Sequence, residues 1–330
     1  MSSLEHRFVT ANGIRHHVVE QVAQGKRPLV LLVHGFPEGW RSWRHQLAAL
    51  SDAGYRAVAY DVRGYGQTDA PADVAAYAMR QLVSDAADLV EALGEERAVV
   101  VGHDWGASIA WHCALLRPDR FRAVAALSIV YTGRSPAPPI AIYRKRFEGQ
   151  FFYMVYFQEP GVAEAELEAD VRRSLRLIFY AASGEAPPAP GFAGKSAGAK
   201  LLDGMTDPPT LPSWLSEAEL DAYAADFART GFRGPLNRYR CMDSDWADLV
   251  ELAGATVSVP ALFVVGDQDM SFKLRGVDAI VQMRAAVPDL RDAVILPGAG
   301  HWIQQERPAE TNAALIAFLR HLDASTTKRD

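Results

Sequence analysis

Asp104 occupies the centre of VVVGHDWGAS (99–108), where a β-branched run gives way to a helical pattern. Gly102, Gly106 and Ala107 flank it, and small residues at these spacings let a strand turn sharply into a helix whose backbone passes close by. A carboxylate at the tip of such a turn can do what a hydroxyl there cannot. Serine needs a base before it attacks, whereas an aspartate with an ordinary pKa of about 3.9 is ionised at neutral pH. It can displace directly at a saturated carbon and form an alkyl ester. The same residue could instead cap the helix, a position Asp favours. Two further segments bear on that choice. VILPGAGHWIQQERP (294–308) offers His301 in a glycine-bounded loop late in the chain, and FVVGDQD (263–269) ends an apolar run on Asp267 and Asp269, either of which could orient an imidazole. HGFPEGW (34–40) follows the first strong apolar run and reads as a tight turn with His34 beneath it.

The elements that must position these residues follow an alternating rhythm. PLVLLVHG (28–35), YRAVAYDVRG (55–64), RAVVVG (97–102) and FRAVAALSIV (121–130) read as strands, the first near-continuously apolar as for a strand covered on both faces. Between them, SWRHQLAALSDAG (42–54) sets Trp43, Leu47 and Leu50 at helical spacing and stops on Gly54. RQLVSDAADLVEALG (80–94) sets Leu82, Ala86, Leu89 and Leu93 on one face, and ASIAWHCALLRP (107–118) reads as a third helix. Asp61 and Arg63 in YDVRGYGQTD (60–69) are expected to pair as scaffold. The alternation stops from about Thr132 to about Gly254, where helical pieces occur without a convincing strand. The Pro/Gly/Ala stretch 181–200 in that region reads as a loop. It resumes with a strand at PALFVVGDQD (260–269), a helix near Val277–Ala286, a strand at DAVILPGAG (292–300) and a helix at PAETNAALIAFLRHL (308–322). Strands alternating with helices imply an α/β fold with a mostly parallel, doubly wound sheet. The expected division is a core of 1–132 and 255–330 interrupted by a helical insertion, 133–254.

Composition narrows the function classes. In 330 residues, 49% hydrophobic and 22% charged is a globular balance. The net charge of −6 carries no basic excess for a phosphate backbone, so nucleic acid is not an expected partner. Cys113 and Cys241 are the two cysteines; they form no disulfide framework and no metal-ligand spacing, which suits a reducing compartment. MSSLEHRFVTANG lacks the apolar stretch of a signal peptide, and no apolar run approaches the roughly 20 residues of a membrane span. The expectation is a cytoplasmic protein needing neither cofactor nor metal.

Taken together, HGFPE, YDVRGYGQTD, GHDWGAS, GDQD and GHWIQQERP resemble the soluble epoxide hydrolases of the α/β-hydrolase superfamily. YFQEPGVAEAEL (156–167) and GFRGPLNRYR (231–240) are similar to their cap domain. The order nucleophile, acid, histidine is that of the superfamily. The resemblance implies an α/β-hydrolase fold whose insertion is a cap, or lid, and conversion of an epoxide to a vicinal diol through a covalent ester on Asp104. His301, oriented by Asp269 rather than Asp267, would activate the water that releases it. Tyr153 and Tyr239 would hold and protonate the epoxide oxygen, with Tyr156 as the rival for the first position. The backbone N–H groups of Phe36 and Trp105 would form the oxyanion hole. Phe36, Trp105, Phe152, Tyr156 and Trp302 are expected in the pocket, together with Phe151 and Phe157, which suggests a lipophilic epoxide and water as the partners. The mammalian relatives carry an added phosphatase domain, for which this chain has no room. Haloalkane dehalogenases share GHDWGA and are the alternative; the loop here has Phe36 where they use an Asn donor. A binding protein on a retired hydrolase scaffold is a second alternative. Which epoxide is used, whether the chain forms a homodimer, and whether its role is detoxification are left open by the sequence.

Overall fold

The computed structural model describes residues 4–21, 27–187, 191–276 and 278–326. Ten strands are present among them: β1 (Leu4–Ala11), β2 (Ile14–Gln21), β3 (Leu29–Val33), β4 (Arg56–Tyr60), β5 (Ala98–His103), β6 (Phe121–Leu127), β7 (Gln150–Phe152), β8 (Ala193–Ser196), β9 (Ala261–Gly266) and β10 (Leu290–Leu296). Eight of them form one sheet in the order β1-β2-β4-β3-β5-β6-β9-β10. From β4 to β10 every neighbouring pair is parallel, while β1 and β2 join antiparallel at one edge.

β3, β5 and β9 are buried along their whole length, as their unbroken apolar runs require. Their side chains alternate between two cores. Leu29, Leu31 and Val33 face the helices Met79–Ala92 and Trp105–Leu116, whereas Val30 and Leu32 face Trp43, Leu47 and Leu50 of the helix Arg44–Asp52 and its approach, with Leu315 and Leu319 of the C-terminal helix Pro308–Thr326. Burying one such aliphatic side chain is worth roughly 1.5–3 kcal/mol, so both faces hold the sheet. The helix expected near Val277–Ala286 runs from Asp278 to Ala286; Val277 lies outside the described residues.

One element was not anticipated from the sequence, and two expectations are corrected. The edge hairpin β1–β2 carries too much charge and histidine (LEHRFVTA, IRHHVVEQ) to read as buried strand, yet it pairs in full register from Leu4↔Gln21 to Ala11↔Ile14. The region between β6 and β9 is mainly helical but contains a small antiparallel ribbon, β7 with β8, too short for periodicity to reveal; residues 188–190 of the stretch read as a loop lie outside the described residues. Asp61 and Arg63 do not pair with each other. Arg63 pairs with Asp85 at 2.5 Å, and Asp61 accepts from His17 Nδ1 at 2.7 Å and from the N–H of Trp40 and Gln67, with His17, Asp61, Arg63 and Asp85 all buried. Their partners come from neighbouring elements that the local spacing does not show.

Candidate active site

The parallel strands end on one edge of the sheet, where open α/β folds bind ligands. Val33 of β3 is level with Gly102 of β5, and His103 with Leu127 of β6, so the segments that follow these strands converge. Asp104 follows β5 and leads into the helix Trp105–Leu116. Its φ of 53° is left-handed for a non-glycine residue, a conformation costing of order 1–3 kcal/mol that persists where surrounding structure enforces it. Two glycines do so here. A Cβ at Gly106 would collide with the Val33 carbonyl, and one at Gly35 would overlap the Asp104 side chain. The carboxylate makes no capping bond to its own helix; instead Oδ1 accepts the Phe36 N–H at 2.8 Å. Asp104 stands at the N-cap position of that helix, but its side chain does not cap it. Trp105 begins the helix directly after Asp104.

His301, in the loop after β10, points Nε2 at Asp104 Oδ2 across 3.4 Å and Nδ1 at Asp269 Oδ2 at 2.9 Å. Asp269 is wholly buried; its Oδ1 accepts the Ser271 N–H at 2.7 Å and the Ser271 hydroxyl at 2.6 Å. Asp267 lies apart and accepts the Gly298 N–H at 2.8 Å. Burial alone would lower the His301 pKa, but the flanking carboxylates, Asp269 first and then Asp104, hold it well above its ordinary value. Burial would likewise raise Asp269, but the His301 charge and the serine hydroxyls outweigh that and hold it at about 2. Asp269 therefore stays ionised at any working pH.

Tyr153 opens a short helix after β7, and Tyr239 lies in the helix Arg233–Arg240. Their rings meet at 6.0 Å between centroids, and Tyr239 packs on Trp105 at 5.1 Å and Phe36 at 5.5 Å. Burial, and next the charge of Asp104, raise both phenols well above the ordinary value of 10.0, so both keep their protons. Asp104, His301, Tyr153 and Tyr239 all line one cavity of about 620 Å³, as do Phe36, Trp105, Phe152 and Trp302. Tyr156 is not on its wall. Its hydroxyl donates to Glu166 at 2.8 Å, a carboxylate on the next helix that no local spacing points to. Phe151 and Phe157 are buried in the core instead of the lining.

Sequence reasoning missed the support beneath the site. Glu38, from HGFPE, accepts from Gly35 N at 3.0 Å, His103 Nδ1 at 2.7 Å and Gln304 Nε2 at 2.9 Å. His103 Nε2 in turn meets the His301 carbonyl at 2.7 Å, so both ring nitrogens face acceptors. Burial opposes the charge on Glu38, yet His103 and the remaining donors bring it to about 2. A histidine ending a fully buried strand was the available signal, since a buried polar group needs a partner.

With this geometry in place, the chain was compared with known proteins. The family described as the alpha/beta hydrolase fold matches residues 28–308. Epoxide hydrolase A of Mycobacterium tuberculosis is 44% identical over 327 residues, 98% of this chain and 99% of the relative. This chain belongs to the epoxide hydrolase family of alpha/beta hydrolases. The structure of an epoxide hydrolase from an endophytic Streptomyces superposes with a TM-score of 0.92 at 48% identity, covering 97% of this chain and 96% of the other. Potato (Solanum tuberosum) epoxide hydrolase I gives 0.87 at 38% identity, with 97% and 100% covered. The bifunctional epoxide hydrolase 2 of Sus scrofa is 37% identical over 96% of this chain, which spans 56% of that protein. No helix among the described residues is long and apolar enough to cross a membrane.

Proposed function

We propose that this chain hydrolyses epoxides to vicinal diols by way of an alkyl ester on Asp104. The observation that carries the reading is the presence of two proton-bearing phenols in the same cavity as a carboxylate braced by a backbone N–H and a histidine. Oδ1 is engaged by Phe36, which leaves Oδ2 to attack an oxirane carbon. The carbon–oxygen bond breaks, its electron pair goes to the oxygen, and Tyr153 and Tyr239 supply the proton. This step needs no base, so a protonated His301 does not hinder it.

Ester formation removes the charge of Asp104, one of the two carboxylates that raise His301. The imidazole then loses its proton more readily and, oriented by Asp269, takes one from a water that adds to the ester carbonyl. The tetrahedral oxyanion rests on the N–H groups of Phe36 and Trp105, worth ~10²–10³ in rate for one such donor. Collapse breaks the ester bond, the departing diol oxygen takes the proton held by His301, and the carboxylate returns containing one oxygen from water. We assign residues 133–254 as the cap that supplies both phenols and 1–132 with 255–330 as the core that supplies the charged groups. The free thiols of Cys113 and Cys241 suit a cytoplasmic setting.

A halide leaving group needs no protonation, so paired phenols favour epoxides over haloalkanes. Side-by-side assays of diol formation from an aryl epoxide and halide release from a haloalkane of similar size test this. Diol formation is expected; halide release without diol would overturn the reading.

A further inference from the structure

Glu306 is buried and takes no part in the proposed steps. A carboxylate removed from water needs donors. This one finds three, and all are backbone N–H groups. Its Oε2 accepts from Gly300 at 2.9 Å and from Gly184 at 2.9 Å, and its Oε1 accepts from Trp302 at 3.0 Å. Gly300 and Trp302 are the residues on either side of His301. Glu306 closes the single helical turn Ile303–Glu306, and its own N–H donates to the Trp302 carbonyl at 2.8 Å, so side chain and backbone grip the same loop. Burial raises the Glu306 pKa, against the pull of the three N–H groups and of the His301 charge.

The third donor comes from elsewhere in the chain. Gly184 lies just beyond the helix Val171–Ala181, in the segment assigned above as the cap. That turn touches the histidine loop at two further points. The His301 N–H donates to the Ala182 carbonyl at 2.8 Å, and the Trp302 indole N–H donates to the Phe179 carbonyl at 2.8 Å. The approach is close enough that a Cβ at Gly184 would lie 2.4 Å from the Gly298 carbonyl oxygen and 2.7 Å from Gly300 N. Asp104, by contrast, takes its bracing N–H from Phe36 of the core. Base and nucleophile are therefore held from different sides.

We propose that Glu306 is a positioning residue for release of the ester: one carboxylate holds the N–H groups on both sides of His301 together with that of Gly184, and so ties the aim of the imidazole to the seating of the cap turn 182–184. Water activation then depends on a seated cap, whereas attack by Asp104 does not. The inference rests on the proposed ester route. A carboxylate offers two acceptor oxygens, but an amide offers one, and its NH2 would face an N–H group. Glu306→Gln thus keeps the volume and loses at least one of the three bonds.

The test follows formation and decay of the alkyl-enzyme on the full chain, by rapid-quench intact-mass analysis with an aryl epoxide. In Glu306→Gln the ester is expected to form at the parent rate and to decay at least about tenfold more slowly, so kcat and KM fall together. Glu306→Asp, which keeps both acceptor oxygens, should lie between. Gly184→Ala presses the cap turn away from the loop and should slow decay likewise. Because both changes break one link, the double variant should cost less than the product of the two. Decay is read per alkylated chain, so a misfolded fraction does not enter. Unchanged decay in Glu306→Gln, formation lost or slowed in step with decay in both Glu306 variants, or full additivity with Gly184→Ala would overturn the positioning role and leave the ester route standing. Diol from the parent chain with no ester trapped in His301→Gln would instead overturn the route on which the inference rests.

Discussion

On the sheet side of the cavity, each reacting group is held by hydrogen bonds to backbone or charged partners, whereas on the helical side the two phenols are held by ring packing. Asp104 is tied by Phe36 N, and His301 by Asp269 at its ring and by His103 at its carbonyl. Tyr239 sits among Phe36, Trp105, Phe157 and Tyr153 at centroid distances of 4.9–6.0 Å. Directional bonds fix an attacking oxygen and a base to within a few tenths of an ångström, as a covalent step requires. Aromatic packing fixes a ring but tolerates adjustment, which suits proton donors that follow an oxygen as it leaves carbon. The difference predicts that changes on the sheet side act on attack by Asp104 or on release of the ester, and changes to the phenols on the helical side on ring opening alone.

The largest effect tests the sheet side. Asp104→Asn removes the attacking charge, and turnover should fall by at least ~10⁴-fold in a steady-state diol assay; a substantial residual rate would show that attack does not need this carboxylate. His301→Gln should leave ring opening intact and block release. Intact-mass analysis is expected to show the chain plus one substrate, and an unmodified protein with no diol would break the division of labour.

On the helical side, Tyr153→Phe and Tyr239→Phe should each slow ring opening by ~10–10²-fold, and the double variant by about the full 10²–10⁴ assigned to general acid catalysis. Pre-steady-state fluorescence of the alkylation phase measures this. The pH dependence carries the same signature. Both phenols must be protonated and both are raised above 10.0, so alkylation should be flat through neutrality and decline only above pH 10. A decline centred below that value would remove the phenols from the step.

The charged half of the site was legible because each member closes a strand inside a distinctive local string: HGFPE, GHDWGAS, GDQD and GHWIQQERP. The roof was not. Nothing local to Tyr153 distinguishes it from Tyr156, and only the resemblance to a family favoured it; the fold separates them by where Glu166 draws the Tyr156 hydroxyl. Glu38 and His103 stood inside recognised motifs, yet their bond spans 65 positions and closes only when β3 and β5 pair. The edge hairpin β1–β2 was missed because antiparallel edge strands show water one face and so lack an unbroken apolar run.

The buried pair beneath the site gives the smallest expected change in activity. Glu38→Gln weakens the brace behind His301 and should cost about tenfold in diol release while lowering stability by roughly 3 kcal/mol, the scale of breaking a buried pair. The folded pKa of Glu38 lies at about 2, below the ordinary 4.5, so its contribution is present above pH 4.5 and is lost as pH falls toward 2. Melting temperatures recorded across that interval should drop less steeply in the variant than in the parent chain, and parallel curves would show that Glu38 contributes nothing through its charge.

Single turnover in heavy-oxygen water with enzyme in excess tests the covalent ester most directly. The first diol is predicted to contain the ordinary oxygen of Asp104, with label appearing in the enzyme and in diols of later cycles. Full label in the first diol would mean that water attacks the epoxide itself, and the ester on Asp104 would have to be abandoned.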